Sequence, residues 1–169
     1  KGFNMFNLKQ QKAAIHEVNA LGEIALACEY MLVPDNRPDL KFLVKGFALP
    51  LPSAEDKIDV TLAGGLMTHT SPMAKTDFSH GLTIIETVAG HALKLFEDIA
   101  YERSIKERSK FDFTIYQGTE MEYVRRWRCI SGLLHGFDAP EIDGENRTQI
   151  MMYTGQIAYH CFGSEKGNI

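Results

Sequence analysis

The chain has 169 residues, of which 44% are hydrophobic and 24% charged, enough for one sizeable core and too few for two comfortable domains. A formal net charge of −4 and a pI near 5.9 give no general attraction to phosphate and argue against a membrane-surface role. Cys28, Cys129 and Cys161 are odd in number and widely spaced in apolar stretches, so they read as reduced core thiols rather than a disulfide framework.

Residues 1–20 read as an N-terminal arm ahead of one β domain over 21–169. LKQQKAAIHEVNAL has helical propensity, but its apolar stripe is only Leu8, Ala13, Ile15, Val18 and Leu21, which fits an arm that orders on a neighbour. Lys1 in place of a methionine suggests a trimmed N-terminus. With no export-type leader and no apolar run long enough for a membrane span, a soluble protein is expected.

Glu23 to Val33 alternates with period two and predicts a long strand with Glu23 and Glu29 on its wet face. PDNRPD breaks it, and Leu40 to Leu49 predicts a second strand, ended by Pro50 and Pro52 and expected to pair with the first as a hairpin. Lys57 to Leu62 alternates again and runs into GGLMTHTSPMAKTDFSHG. A polar stretch of that length inside a compact domain is usually functional or ordered by a partner, so 64–80 is marked as a contact loop. Its candidate contact residues are Met67, His69, Pro72, Lys75 and Asp77.

A short strand, Leu82 to Ile85, feeds the strongest helical signal, TVAGHALKLFEDIAYER over Thr87 to Arg103. Val88, Ala92, Leu95, Phe96 and Ile99 form its apolar face and Thr87 its expected N-cap. The helix runs out in ERSIKERSK. Phe111 to Tyr116 is a strand, and the last third reads as two long strands, Glu120 to Leu134 and Arg147 to Phe162, joined by GFDAPEIDGEN. The fold class is mainly β, an antiparallel sandwich or barrel flanked by one α-helix.

Chemistry is sparse. No phosphate-loop, dinucleotide, nucleophile-elbow or zincin motif occurs. The six histidines lack metal-ligand spacing, and an apolar strand cysteine such as Cys129 near His135 or His160 is more often inert than a nucleophile. Asn146, Arg147 and Thr148 make a glycosylation sequon that has meaning only on export. No catalytic, cofactor or metal residue is therefore assigned.

Two stretches carry interaction signals instead. In EMEYVRRWR, Glu120, Glu122, Arg126 and Arg128 share one face, and Met121, Tyr123, Arg125 and Trp127 the other. A solvated strand, an inter-subunit pairing surface and a nucleic-acid platform all fit this ladder, although the balancing glutamates disfavour the last. QIMMYTGQIAYHCF is apolar on both faces, with Tyr153 among its inward residues, which asks for cover by the helix on one side and another subunit on the other. Arg125, Arg126, Trp127, Arg128 and Tyr153 are the candidate subunit-interface residues.

The order of elements over 22–162 resembles the major tail tube protein of contractile-tailed bacteriophages. The resemblance rests on Leu49, Pro50 and Lys57, on the single helix AGHALKLFEDI, and on Gly132, Leu133, Pro140, Glu141, Asp143 and Tyr159 in the closing strands. It implies homohexameric rings whose inner strands merge into one barrel, stacked into a tube with the 64–80 loop between rings. Tail sheath and baseplate proteins are the implied partners. Genomic DNA would pass through the lumen without specific binding, along a mildly acidic wall for which Glu23 and Glu29 are candidates. The implied location is the virion tail, assembled in host cytoplasm, with no membrane role. A type VI secretion tube protein and a small β-barrel ligand-binding domain are the alternatives.

Overall fold

The computed structural model describes residues 8–20, 25–102, 110–140, 142–143 and 145–169. In chain order these form helix α1 (Leu8–Ala20), strands β1 (Tyr30–Pro34), β2 (Val44–Gly46), β3 (Ile58–Thr61), β4 (Met67–Thr70) and β5 (Asp77–Ile85), helix α2 (His91–Glu97), and strands β6 (Lys110–Gly118), β7 (Tyr123–His135) and β8 (Met152–Lys166). Six strands make one antiparallel sheet in the order β1-β6-β7-β8-β5-β2, while β3 and β4 pair only with each other. A 3-10 turn at Pro38–Phe42 packs against both edge strands, so the sheet curls into a nearly closed barrel. Mainly antiparallel β with one α-helix against the core is the architecture that the period-two alternation predicts.

One face of the sheet is the core. Phe78, Leu82 and Ile84 on β5, Phe111, Phe113 and Ile115 on β6, Trp127 and Cys129 on β7, and Tyr153, Ile157, Tyr159 and Cys161 on β8 all point inward and are buried. Ala92, Leu95 and Ile99 cover them from α2 and the π-helical turn Asp98–Glu102 that follows it. Tyr159 sits at the centre, edge-on to Phe113 at 5.1 Å and stacked on Phe78 at 5.8 Å between ring centroids. Gly155 lies on this inward face because the Phe137 ring occupies the place of a β-carbon there. Phe137 in turn packs on Phe96 of α2 at 4.8 Å, so a glycine in the longest strand lets helix and sheet meet.

The helix starts later than its periodicity predicts. Gly90, with φ of 74°, is the residue before the first turn; Val88 is fully exposed, and Thr87 lies outside the helix, its Oγ1 accepting the His91 N–H at 3.3 Å. The main cap comes from Glu86, whose carboxylate accepts the N–H groups of Thr87, Ala92 and Leu93 at 2.7, 3.0 and 2.8 Å. A carboxylate at the first turn satisfies donors that have no partner inside the helix and favours its positive end. Burial pushes the Glu86 pKa up, yet these donors and the Tyr153 hydroxyl hold it below the usual glutamate range.

The first half of the chain departs furthest from expectation. The strand predicted from Glu23 begins only at Tyr30, after a 3-10 turn at Ala27–Glu29, and it pairs with β6 instead of forming a hairpin with the next segment. That segment is mostly the Pro38–Phe42 turn, leaving three residues of β2 to pair with β5. Local alternation cannot reveal that β1 finds its partner some eighty residues on, since that choice depends on which inward faces complete the core. Cys28 is exposed on the turn and is no core residue, unlike Cys129 and Cys161. The tract 103–109 lies outside the described residues.

Candidate functional site

The segment expected as an irregular loop is a β-arm. Residues 62–66 turn β3 into β4, with Gly64 and Gly65 at φ of 86° and 77°, a conformation that side chains with a β-carbon adopt reluctantly. Beyond the paired strands, the Glu55 N–H donates to the Met73 carbonyl at 3.1 Å and the Lys75 N–H to the Ser53 carbonyl at 2.8 Å, which carries the ladder down to the sheet. Every residue from 51 to 75 is exposed.

The arm is two-faced. Ile58 pairs with Thr70 and Val60 with Thr68, while Leu62 and Leu66 close the tip, so these six side chains form an apolar and β-branched face. Leu66 is 68% and Leu62 49% exposed, values that leave this face without cover in a single chain. The opposite face is polar: Asp59 bonds His69 at 2.7 Å and Lys57 at 2.9 Å, with Thr61 and Met67 beside them. Of the residues picked as contacts, Met67 and His69 lie on this polar face, Pro72 in the return, Lys75 at the root over the Phe78 ring at 5.3 Å, and Asp77 at the first position of β5. The exposed apolar residues Ile58, Val60, Leu62 and Leu66 were not among those picked, although the alternation through β3 marks the first three.

The outward face of the main sheet divides into two. Over β1, β6 and β7 it is a lattice of opposite charges around a shallow hollow of about 600 Å³. Arg128 grips Asp35 through both guanidinium nitrogens, at 2.8 and 2.6 Å, and reaches Thr114 and Asp112; Arg126 binds Glu165 at 2.6 Å, and Lys41 binds Glu120 at 2.9 Å. These hydrogen bonds raise both arginines above their ordinary pKa. Over β5 and β8 the same face is small and polar. Asp77 lies opposite His160, Ser79 opposite Ala158, Gly81 opposite Gln156 and Thr83 opposite Thr154, with no lysine or arginine among them.

The candidate interface residues therefore separate. Arg126 and Arg128 point outward but are engaged with carboxylates of their own chain, and Arg125 is exposed on the opposite side at the start of β7. Trp127 and Tyr153, 7% and 8% exposed, belong to the chain's own core. Glu29 sits on the turn before β1, bonded to its own Leu26 N–H, so the wet strand face that made it a wall residue does not exist; Glu23 lies outside the described residues. Among the described residues no three His, Cys, Asp or Glu side chains converge as metal ligands, and no helix is long and apolar enough to cross a membrane.

No family model and no curated protein matches this sequence. Solved structures do match the fold. A chain of the PVC extracellular contractile injection system, in its extended sheath-tube complex, superimposes with a TM-score of 0.65 over 89% of this chain and 97% of its own, at 12% identity. The tube-terminating cap of the anti-feeding prophage matches with a TM-score of 0.66 over 85% and 92%, again at 12% identity. A chain of that particle's baseplate, solved with 6-fold symmetrisation, matches at 0.54 over 83% and 93%, at 12% identity. The chain has a tail-tube-like fold, the architecture that the order of its elements implied.

Proposed function

We propose that this chain is a structural subunit of the tube of a contractile, tail-like particle, in which six copies close into a ring and rings stack. The observation that carries this is the β-arm: a two-stranded hairpin is marginal alone, and this one holds an uncovered apolar face away from the core that stabilises the rest. A neighbouring copy supplies the cover, in the same ring or the next. The likeness to sheath-tube, cap and baseplate chains supports the reading, and sheath and baseplate proteins are the partners it names. Met67, His69, Pro72 and Lys75 then contact the neighbour through the arm's polar face and root.

The lumen wall moves from Glu23 and Glu29 to the outward face of β5 and β8. Small polar residues, with Lys45 reaching only the Met152 end, let a polyanion slide with little to hold it, whereas each further lysine or arginine would add a phosphate contact. The favoured cargo is the genomic DNA of a phage, with the virion tail as the location. A second reading, a tube that injects protein, is favoured by the PVC and anti-feeding prophage neighbours, and capsid genes beside this one would decide for the first. The role is structural, with no reaction and no cofactor.

Negative-stain imaging of the concentrated protein tests the proposal. Six-fold rings or tubes with a uniform central hole are expected. Monomers under every condition, including added baseplate extract, contradict it and return the chain to the class of small ligand-binding barrels.

A further inference from the structure

The two longest strands carry a pair of thiols that the assembly reading does not use. Cys129 and Cys161 are direct partners across β7 and β8, both inside the core at 0% and 2% exposed. The Cys161 N–H is donated away from β7, to the Thr76 carbonyl on the β5 side at 2.9 Å. In an antiparallel ladder a residue's N–H and C=O point to the same flank, so towards β7 this is a non-hydrogen-bonded pair. Such pairs bring Cα atoms to about 4.5 Å, the closest approach the sheet offers and within the range of about 4.4–6.8 Å that a disulfide spans. Each thiol donates to a backbone carbonyl of its own strand, Cys129 to Trp127 at 3.8 Å and Cys161 to Gly163 at 3.5 Å. The register slips on both sides of the pair, between Trp127 and Cys129 and between Ile130 and Leu133, so the backbone there is not held by an unbroken ladder.

We propose that Cys129 and Cys161 form an oxidative modification site, at which a small peroxide closes a cross-strand disulfide that locks β7 to β8. The Cys161 sulfur, as thiolate, attacks one peroxide oxygen; the O–O bond breaks, and the departing hydroxide and the proton released by Cys161 make water, leaving a sulfenic acid. The Cys129 sulfur then attacks the sulfenic sulfur, the S–O bond breaks, and the leaving hydroxide takes the Cys129 proton. Two thiols and one peroxide become one disulfide and two waters. The proximity of the two sulfurs lowers the Cys161 pKa and, with burial, raises that of Cys129, which makes Cys161 the attacking sulfur and keeps Cys129 protonated. Burial keeps bulky oxidants away, which makes a small peroxide the oxidant this site would take.

The test uses the full chain carrying Cys28→Ser, which removes the exposed thiol and leaves the pair as the protein's remaining cysteines. After treatment with hydrogen peroxide, the protein is unfolded in N-ethylmaleimide and weighed intact. The expected result is a loss of about 2 Da, no alkylation, full reversal by reductant, and a thermal midpoint about 5–10 °C above that of the reduced protein. Two alkylated thiols with no other change in mass than the two adducts, oxygen added to either sulfur without bridging, or a covalent dimer overturns the site; a bridge with no rise in the midpoint overturns the lock.

Discussion

The six-stranded sheet and the β-arm are written in the same alternating code, yet only the sheet is covered within one chain. In the sheet, the inward residues share one core: Phe113, edge-on to Tyr159, and Ile115 are buried with the helix residues Ala92 and Leu95 and are essentially inaccessible to water. Burying such a side chain contributes roughly 1.5–3 kcal/mol each. In the arm, Ile58, Val60, Leu62 and Leu66 make an equally regular face with nothing above it. On the proposed reading, the difference separates what folds the subunit from what joins it to another, with the arm as half of an interface.

The sharpest way to break that comparison is to damage the sheet. Phe113→Ala removes a ring that is 0% exposed from the centre of the core and should cost about 4 kcal/mol, read as a lower midpoint in urea unfolding. A smaller effect is expected at the helix cap, where Glu86→Gln should cost about 1 kcal/mol at neutral pH. Because the folded state lowers the Glu86 pKa, its contribution is complete above the ordinary glutamate value of about 4.3 and is lost as pH falls through that value towards the folded one. The gap between wild type and Glu86→Gln should therefore close on acidification, as followed by urea titrations at stepped pH. The smallest effect on the monomer belongs to the arm: Ile58→Asp with Val60→Asp should shift its stability by no more than about 0.5 kcal/mol. The same pair should abolish rings in the microscope. Equal loss of folding from both classes of variant would erase the distinction.

Much of the sheet was legible in the residues. β6, β7 and β8 announce themselves because each alternates through a long run with one mostly apolar face, and Ala92, Leu95 and Ile99 mark the helix face for the same reason. The Leu82 to Ile85 strand was found too short, since Asp77 to Gly81 presents small polar residues outward and looks like loop when only one strand is considered. β4 was hidden similarly: MTHT has strand-forming threonines but follows two glycines, and its pairing with β3 is visible only once 62–66 is seen as a hairpin turn. The Glu86 cap reaches Ala92, six positions on, beyond the usual one-turn signature, so Thr87 drew the assignment instead. For the candidate site, the segment was picked out from its length, but the sharing of one face by Ile58, Val60 and Leu62 with Leu66 was not, because strand pairing decides which side chains of two strands lie together.

The most direct measurement is amide hydrogen–deuterium exchange, compared between dilute monomer and assembled protein. The account predicts that amides of β7 and β8 are slow in both states, whereas those of the arm over 55–75 exchange quickly in the monomer and become protected on assembly. An arm as protected in the monomer as β7, or one that stays fast in assembled rings, would contradict the claim that it is the unfinished half of a subunit interface.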